Sequence, residues 1–164
     1  MNPTPQDLMH LAIAEAKLAG ADDEVPIGCV IWHEPTQRII GRGHNTRERD
    51  RDPTAHAEIV ALKQAALTLG HWRVTDSVLA VTLEPCPMCA GAIVNARVPK
   101  LVYGCPDPKA GAVRTLFTLC EDPRLNHRVE VTPGVLSEDC ADLLRDFFRK
   151  QRAVGKNGRS SQSE

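Results

Sequence analysis

The sequence predicts an α/β protein, a three-layer α/β/α sandwich built on a five-stranded mixed sheet. Two observations carry this expectation. Stretches with apolar residues at helical spacing alternate with short runs of β-forming residues, the order that puts helices on both faces of a sheet. The 164 residues, 42% of them hydrophobic, suffice for one domain with a proper core. Residues 1–153 are expected to form that domain. Residues 154–164, which lack apolar periodicity, are expected to form a disordered basic and polar tail.

Thr4 before Pro5, with Asp7 in the first turn, marks the start of a helix to about Leu18, buried through Leu8, Leu11, Ala12 and Leu18 and ended by Gly20. Val25 to Trp32 and Arg38 to Gly43 are rich in β-formers and flank a five-residue turn, a hairpin. His44 to Asp52 is polar and reads as a surface loop. Asp52-Pro53 signals a second helix, with Ile59, Leu62, Ala66 and Leu69 on its buried face and Gly70 closing it. Val78 to Leu83 fits a buried strand, and Pro87 opens a helix to about Asn95. Lys100 to Gly104 and Arg128 to Thr132 supply two more strands, joined by a small-residue loop and a short helix near Leu116. Ser137 starts a last helix with an apolar stripe of Cys140, Leu143, Leu144, Phe147 and Phe148.

Composition narrows the classes further. No apolar run approaches the ~18 residues of a membrane span, and no secretory leader is visible, so a cytoplasmic protein that meets no membrane is expected. Its six cysteines then read as reduced, buried or metal-binding. The net charge of −1 conceals an asymmetry: Arg145 to Arg159 holds six basic residues against Asp146 alone. This basic end is a candidate phosphate contact or a solvated helix face.

The chemistry concentrates in His56-Ala57-Glu58 and Pro85-Cys86-Pro87-Met88-Cys89. Zinc takes Cys sulfur and His nitrogen in a tetrahedron, and catalytic sites keep three protein ligands so that water can take the fourth place. His56, Cys86 and Cys89 make three, and Glu58 is left to move protons. One difficulty is geometric. Residues two apart in a regular helix point about 200° apart, so His56 and Glu58 serve one metal only if the turn is irregular or His56 binds through its nearer ring nitrogen. Two other readings stay open. Cys-Pro-x-Cys at a strand-to-helix junction also suits a thiol redox protein, and a structural zinc site would need a fourth protein ligand.

The chain resembles the bacterial tRNA-specific adenosine deaminases, a branch of the zinc-dependent cytidine/deoxycytidylate deaminase superfamily that converts the wobble adenosine of an anticodon to inosine. The resemblance covers roughly residues 5 to 152. It rests on Glu24-Val25-Pro26-Ile27-Gly28, Asp52-Pro53-Thr54-Ala55-His56-Ala57-Glu58, Thr82-Leu83-Glu84-Pro85-Cys86-Pro87-Met88-Cys89-Ala90-Gly91-Ala92, Asn126-His127-Arg128-Val129-Glu130 and Asp146-Phe147-Phe148-Arg149. The Pro-Cys-Pro-Met-Cys core also resembles guanine deaminases, so a free-purine deaminase is the alternative.

The resemblance implies a cytidine deaminase-like fold, one zinc on His56, Cys86 and Cys89, and Glu58 as proton shuttle in hydrolytic deamination. It further implies that Asn45 contacts the base and that Asp107 and Lys109 meet the nucleotides around it. The expected partners are a tRNA anticodon stem-loop and a second copy of the chain in a homodimer. Of the Phe147-Phe148 pair at least one ring belongs to the core, and an exposed one, Phe147 or Phe148, could stack on an unpaired base, with Arg149, Lys150 and Arg152 holding phosphates beside it.

Overall fold

The computed structural model describes residues 1–160. Its five strands form one mixed sheet. Strands β1 (Gly28–His33) and β2 (Arg38–His44) pair antiparallel, and β1 also runs antiparallel to β3 (Ser77–Leu83). Strands β4 (Lys100–Cys105) and β5 (Glu130–Thr132) continue the sheet in parallel with β3. The period-two alternation of strand side chains divides the core into two halves. Cys29, Ile31, Leu79, Val81, Leu101 and Tyr103 point to one face, and Val30, Ala80 and Val102 to the other.

The first face is covered by α3 (Ala57–Leu69) and α4 (Pro87–Asn95), the second by α1 (Pro5–Ala21) and α5 (Ser137–Ser160). This is the expected three-layer sandwich. Helix α1 starts as predicted: the Thr4 hydroxyl accepts from the Asp7 backbone N–H and the Asp7 carboxylate accepts from the Thr4 N–H. It runs one residue past Gly20, and Leu18 is exposed rather than buried.

Other boundaries move for local reasons. Strand β1 begins at Gly28, not Val25, because Pro26 has no N–H to give the ladder and the Ile27 N–H turns back to the Val25 carbonyl. The polar loop after β2 contains a one-turn helix, α2 (Arg47–Asp50). No helix forms near Leu116; the chain there makes turns and then a single 3-10 turn at Leu119–Glu121. Helix α5 is described as far as Ser160, beyond the Ala153 boundary. Residues 151–155 are all exposed, so no packing of their side chains holds that stretch. The remainder of the expected tail, 161–164, lies outside the described residues.

The site follows from the sheet. Gly28 sits opposite His44 in the register, and Leu83 opposite Cys105, while the Gly28 N–H donates to the Thr82 hydroxyl. The start of β1 and the ends of β2, β3 and β4 therefore share one edge. Every segment leaving that edge carries a residue singled out by the sequence.

Candidate metal centre and base pocket

His56 is not in the first turn of a helix that starts at Asp52. Asp52 instead accepts hydrogen bonds from the Thr54 N–H and hydroxyl at 2.8 and 2.7 Å, an Asx-type turn, and α3 starts at Ala57. His56 is its N-cap, with extended backbone at φ −76° and ψ 154°. The helical rule that would splay residues 56 and 58 therefore does not apply. Its Nδ1, the ring nitrogen nearer the backbone, lies 3.6 Å from Cys86 Sγ and 3.6 Å from Cys89 Sγ. The backbone at His56 is extended, and Nδ1 is the ring nitrogen that faces the sulfurs.

Cys86 is likewise the extended N-cap of α4, with Pro87 at the first helical position, and Cys89 lies in that helix's first turn. The three donor atoms fall within 4.8 Å of one another. The distances test the fit to zinc. With Zn–N near 2.05 Å, Zn–S near 2.3 Å and a tetrahedral angle, nitrogen and sulfur should stand about 3.6 Å apart. The residues fit the ion.

The protonation pattern agrees. Cys86 is pulled down to about 4, chiefly by the hydrogen bond from Cys89 and, against its burial, by His56. Cys89 is driven up by donating to Cys86 and by burial, and His56 is raised first by Cys86. One thiolate is thus present before any cation arrives, at a helix N-terminus that favours negative charge. Glu58 is 4% exposed, and burial first, then the Cys86 charge, push its carboxyl up to about 7. A carboxyl that titrates near neutrality is suited to both taking and returning a proton.

A cavity of about 100 Å³ opens over this centre, lined by Val25, Ile27, Asn45, Arg47 and Ala57 together with His56 and Glu58. Asn45 lines it but is also occupied: its Oδ1 accepts from the Arg47 N–H at 3.1 Å and its Nδ2 donates to the Val25 carbonyl at 3.3 Å. One N–H and one lone pair of the amide are left for a ligand. Arg47, exposed at the rim, stands in the sequence as one residue of a polar loop. That loop is held from below by buried Glu24, whose carboxylate accepts from the Arg49 N–H at 2.7 Å and the Glu48 N–H at 3.3 Å.

Asp107 and Lys109 are not part of the cavity wall. Asp107 Oδ1 caps its own turn, accepting from the N–H groups of Lys109 and Ala110, and Lys109 is exposed. Their loop is tied to the cysteine segment through Glu84, which the sequence offered only as part of a longer motif. Burial pushes Glu84 up, but hydrogen bonds led by the Arg114 N–H and the Thr115 hydroxyl hold its carboxyl below the usual value.

On α5 the more exposed ring is Phe148, at 45%; Phe147 is half-buried and meets it edge-on at 5.3 Å. A shallow hollow joins Phe148 with Leu144, Arg145, Arg149 and Arg152. Phe147 does not line it. Lys150 is exposed on the same helix.

Fold and donor set define a zinc-dependent hydrolase of the nucleobase-deaminase class. Residues 3–105 match the cytidine and deoxycytidylate deaminase zinc-binding region. The tRNA-specific adenosine deaminase of Bacillus subtilis (strain 168) is 47% identical over 97% of this chain and 99% of its own. A solved structure from work on A-to-I editing by tRNA:A34 deaminases superposes with a TM-score of 0.79 at 42% identity, covering 84% of this chain and 98% of that one. A guanine deaminase from Nitrosomonas europaea reaches 0.73 at 25% identity, over 88% and 84%. The chain belongs to the cytidine and deoxycytidylate deaminase zinc-binding family and, within it, to the tRNA-specific adenosine deaminases.

Proposed function

We propose that this protein hydrolytically deaminates adenosine to inosine at the wobble position of tRNA. The observation that carries the reading is the placement of His56 Nδ1 3.6 Å from both cysteine sulfurs, with the buried Glu58 carboxyl facing the same cavity. His56, Cys86 and Cys89 would hold the zinc, which when bound supplies an acidified water as nucleophile. Glu58 would accept a proton from the attacking water and return one to the leaving amino group, so that ammonia rather than amide anion would depart. Asn45, with its free N–H and lone pair, pairs with the purine edge while its other half keeps the Arg47 loop in place.

A base can enter this pocket only after leaving its stack, which costs least in a hairpin loop. Asp107 and Lys109 meet the neighbouring nucleotides, and Arg149, Lys150 and Arg152 hold phosphates beside an aromatic ring on α5. Phe148 suits that stacking role better than Phe147, because it is the ring that shares a hollow with the arginines. The enzyme works as a homodimer in the cytoplasm in the same reading. No helix among the described residues is long and apolar enough to cross a membrane.

A free-purine deaminase is less favoured, since the guanine deaminase relative shares far less sequence than the tRNA deaminase does. The test is incubation of purified protein with total tRNA lacking inosine, followed by nucleoside analysis. Inosine confined to anticodon positions is expected. Deamination of free guanine with tRNA left intact would reverse the assignment.

A further inference from the structure

Glu84 is 1% exposed and does not line the cavity, yet its carboxylate accepts five hydrogen bonds, all from one loop. Oε1 takes the Asp107 N–H at 3.3 Å and the Thr115 hydroxyl. Oε2 takes the N–H groups of Val113, Arg114 and Thr115 at 3.2, 3.0 and 3.0 Å. Among the described residues no Lys, Arg or His forms a salt bridge with it. Its hydrogen-bond partners are four amide dipoles and a hydroxyl.

The next residue continues the link: the Pro85 carbonyl accepts from the Ala112 N–H at 2.8 Å. Gly111 presses on the carboxylate so closely that a Cβ there would lie 2.5 Å from its carboxyl carbon, which only glycine permits. The chain then passes directly to Cys86. One side chain thus fastens both ends of the 107–115 segment to the residues that lead into α4.

A charge buried this deeply is costly unless its hydrogen bonds are all made. The same device serves the loop at the base pocket, where buried Glu24 accepts from the Glu48 and Arg49 N–H groups. What the carboxylate adds is a shared origin. Asp107 and Lys109 on one side and Cys86 and Cys89 on the other are referred to the same rigid point.

We propose that Glu84 is a positioning residue for substrate: it locks the 107–115 loop to the start of α4, so that Asp107 and Lys109 meet the nucleotides beside the target base in fixed register with the metal-binding cysteines. This rests on the RNA reading given under Proposed function. Glu84 touches neither base nor metal, and its effect falls on binding of the flanking nucleotides rather than on proton transfer.

The side-chain inventory supplies a selective probe. In Glu84→Gln the single carbonyl oxygen can serve the three N–H groups of Val113, Arg114 and Thr115, and the amide nitrogen can donate to the Thr115 hydroxyl. Asp107 N–H alone is left facing a donor. The Asp107 end of the loop should therefore loosen while α4 stays intact.

The experiment measures zinc content, kcat and KM on an anticodon stem-loop, and amide hydrogen exchange for wild type, Glu84→Gln, Thr115→Val and Thr115→Ser. Glu84→Gln is expected to keep one zinc and a kcat per zinc within about twofold, to raise KM about tenfold, and to speed exchange of the loop amides but not those of Ile93 and Val94. Thr115→Val should shift KM in the same direction by less, and Thr115→Ser should restore it. An unchanged KM with unchanged loop exchange overturns the proposal, and so does loss of zinc or of kcat with KM unaltered. Should Glu84→Gln not fold, the Thr115 pair decides, and Thr115→Val with wild-type KM overturns it. If wild type leaves the stem-loop untouched, the RNA reading fails, while the exchange pattern still decides whether Glu84 locks the loop.

Discussion

His56 and Cys86, thirty residues apart in the chain, approach to 3.6 Å between Nδ1 and Sγ because each is the extended N-cap of its own helix. The two helices do not cross at this donor cluster; they begin there. This arrangement brings the N-termini of both helices together and places the second residue of α3, Glu58, buried beside them.

The first consequence concerns the metal itself. Cys86→Ser and Cys89→Ala should each reduce zinc from about one per chain to under about 0.1, without a disulfide forming in wild type. Elemental analysis of freshly purified protein checks this. A Cys86–Cys89 disulfide that cycles with activity would instead favour the redox reading.

Zinc affinity should rise with pH. In the metal-free protein Cys89 is raised by Cys86 and by burial, so it carries its proton at neutrality, and the ion must displace that proton to gain a thiolate. The affinity is therefore expected to increase at least about tenfold per pH unit between pH 6 and 8, as measured by chelator competition. A pH-independent affinity would mean that both sulfurs are already ionised.

The pH dependence of turnover has the opposite origin but the same sign. Burial pushes Glu58 up to about 7, and only its ionised form can accept a proton from water. On the acid side kcat/KM should fall by up to about tenfold per pH unit as Glu58 takes up its proton, and on the alkaline side the profile should level off. A profile flat from pH 5.5 to 8 would remove Glu58 as the base.

Binding of RNA should be separable from both. Arg149→Ala and Arg152→Ala, on the exposed side of α5, should weaken stem-loop binding and flatten its salt dependence by about 0.7 to 0.9 in log–log slope for each lost phosphate contact. Zinc content should not change. Phe148→Ala should cost more affinity than Phe147→Ala if the exposed ring stacks on a base, by about 1 kcal/mol or more. Equal losses would place the role on packing instead.

Much of this was legible in the sequence because it depends on local periodicity. Short runs of β-forming residues at β1, β3 and β4, set between stretches of helical period, mark a sheet covered on both faces, and Pro87 marks the start of α4 to the residue. The start of α3 is not legible because Asp52-Pro53 looks like a cap and first helical residue, whereas Asp52 uses its carboxylate on Thr54 and closes a turn. That turn is what frees His56 to use Nδ1.

The ligand residues were legible as types at a spacing; their supports were not. Glu24 and Glu84 are acids buried against the backbone of distant loops, and Arg47 reaches the pocket rim only because Asn45 folds its loop there. No spacing in a single sequence encodes an acceptor for amides 23 to 31 residues away. In α5 the apolar stripe was clear, but the choice between Phe147 and Phe148 needed the helix's rotation against the sheet.

The most direct measurement is deamination of a synthetic anticodon stem-loop with adenosine at the wobble position by zinc-loaded wild type and by zinc-loaded Glu58→Gln. Wild type should convert that adenosine to inosine, and Glu58→Gln, still holding one zinc, should be slower by about 10²- to 10⁴-fold. Absence of inosine with fully loaded wild type, or undiminished turnover by Glu58→Gln, would contradict the assignment of a glutamate-assisted zinc deaminase of tRNA.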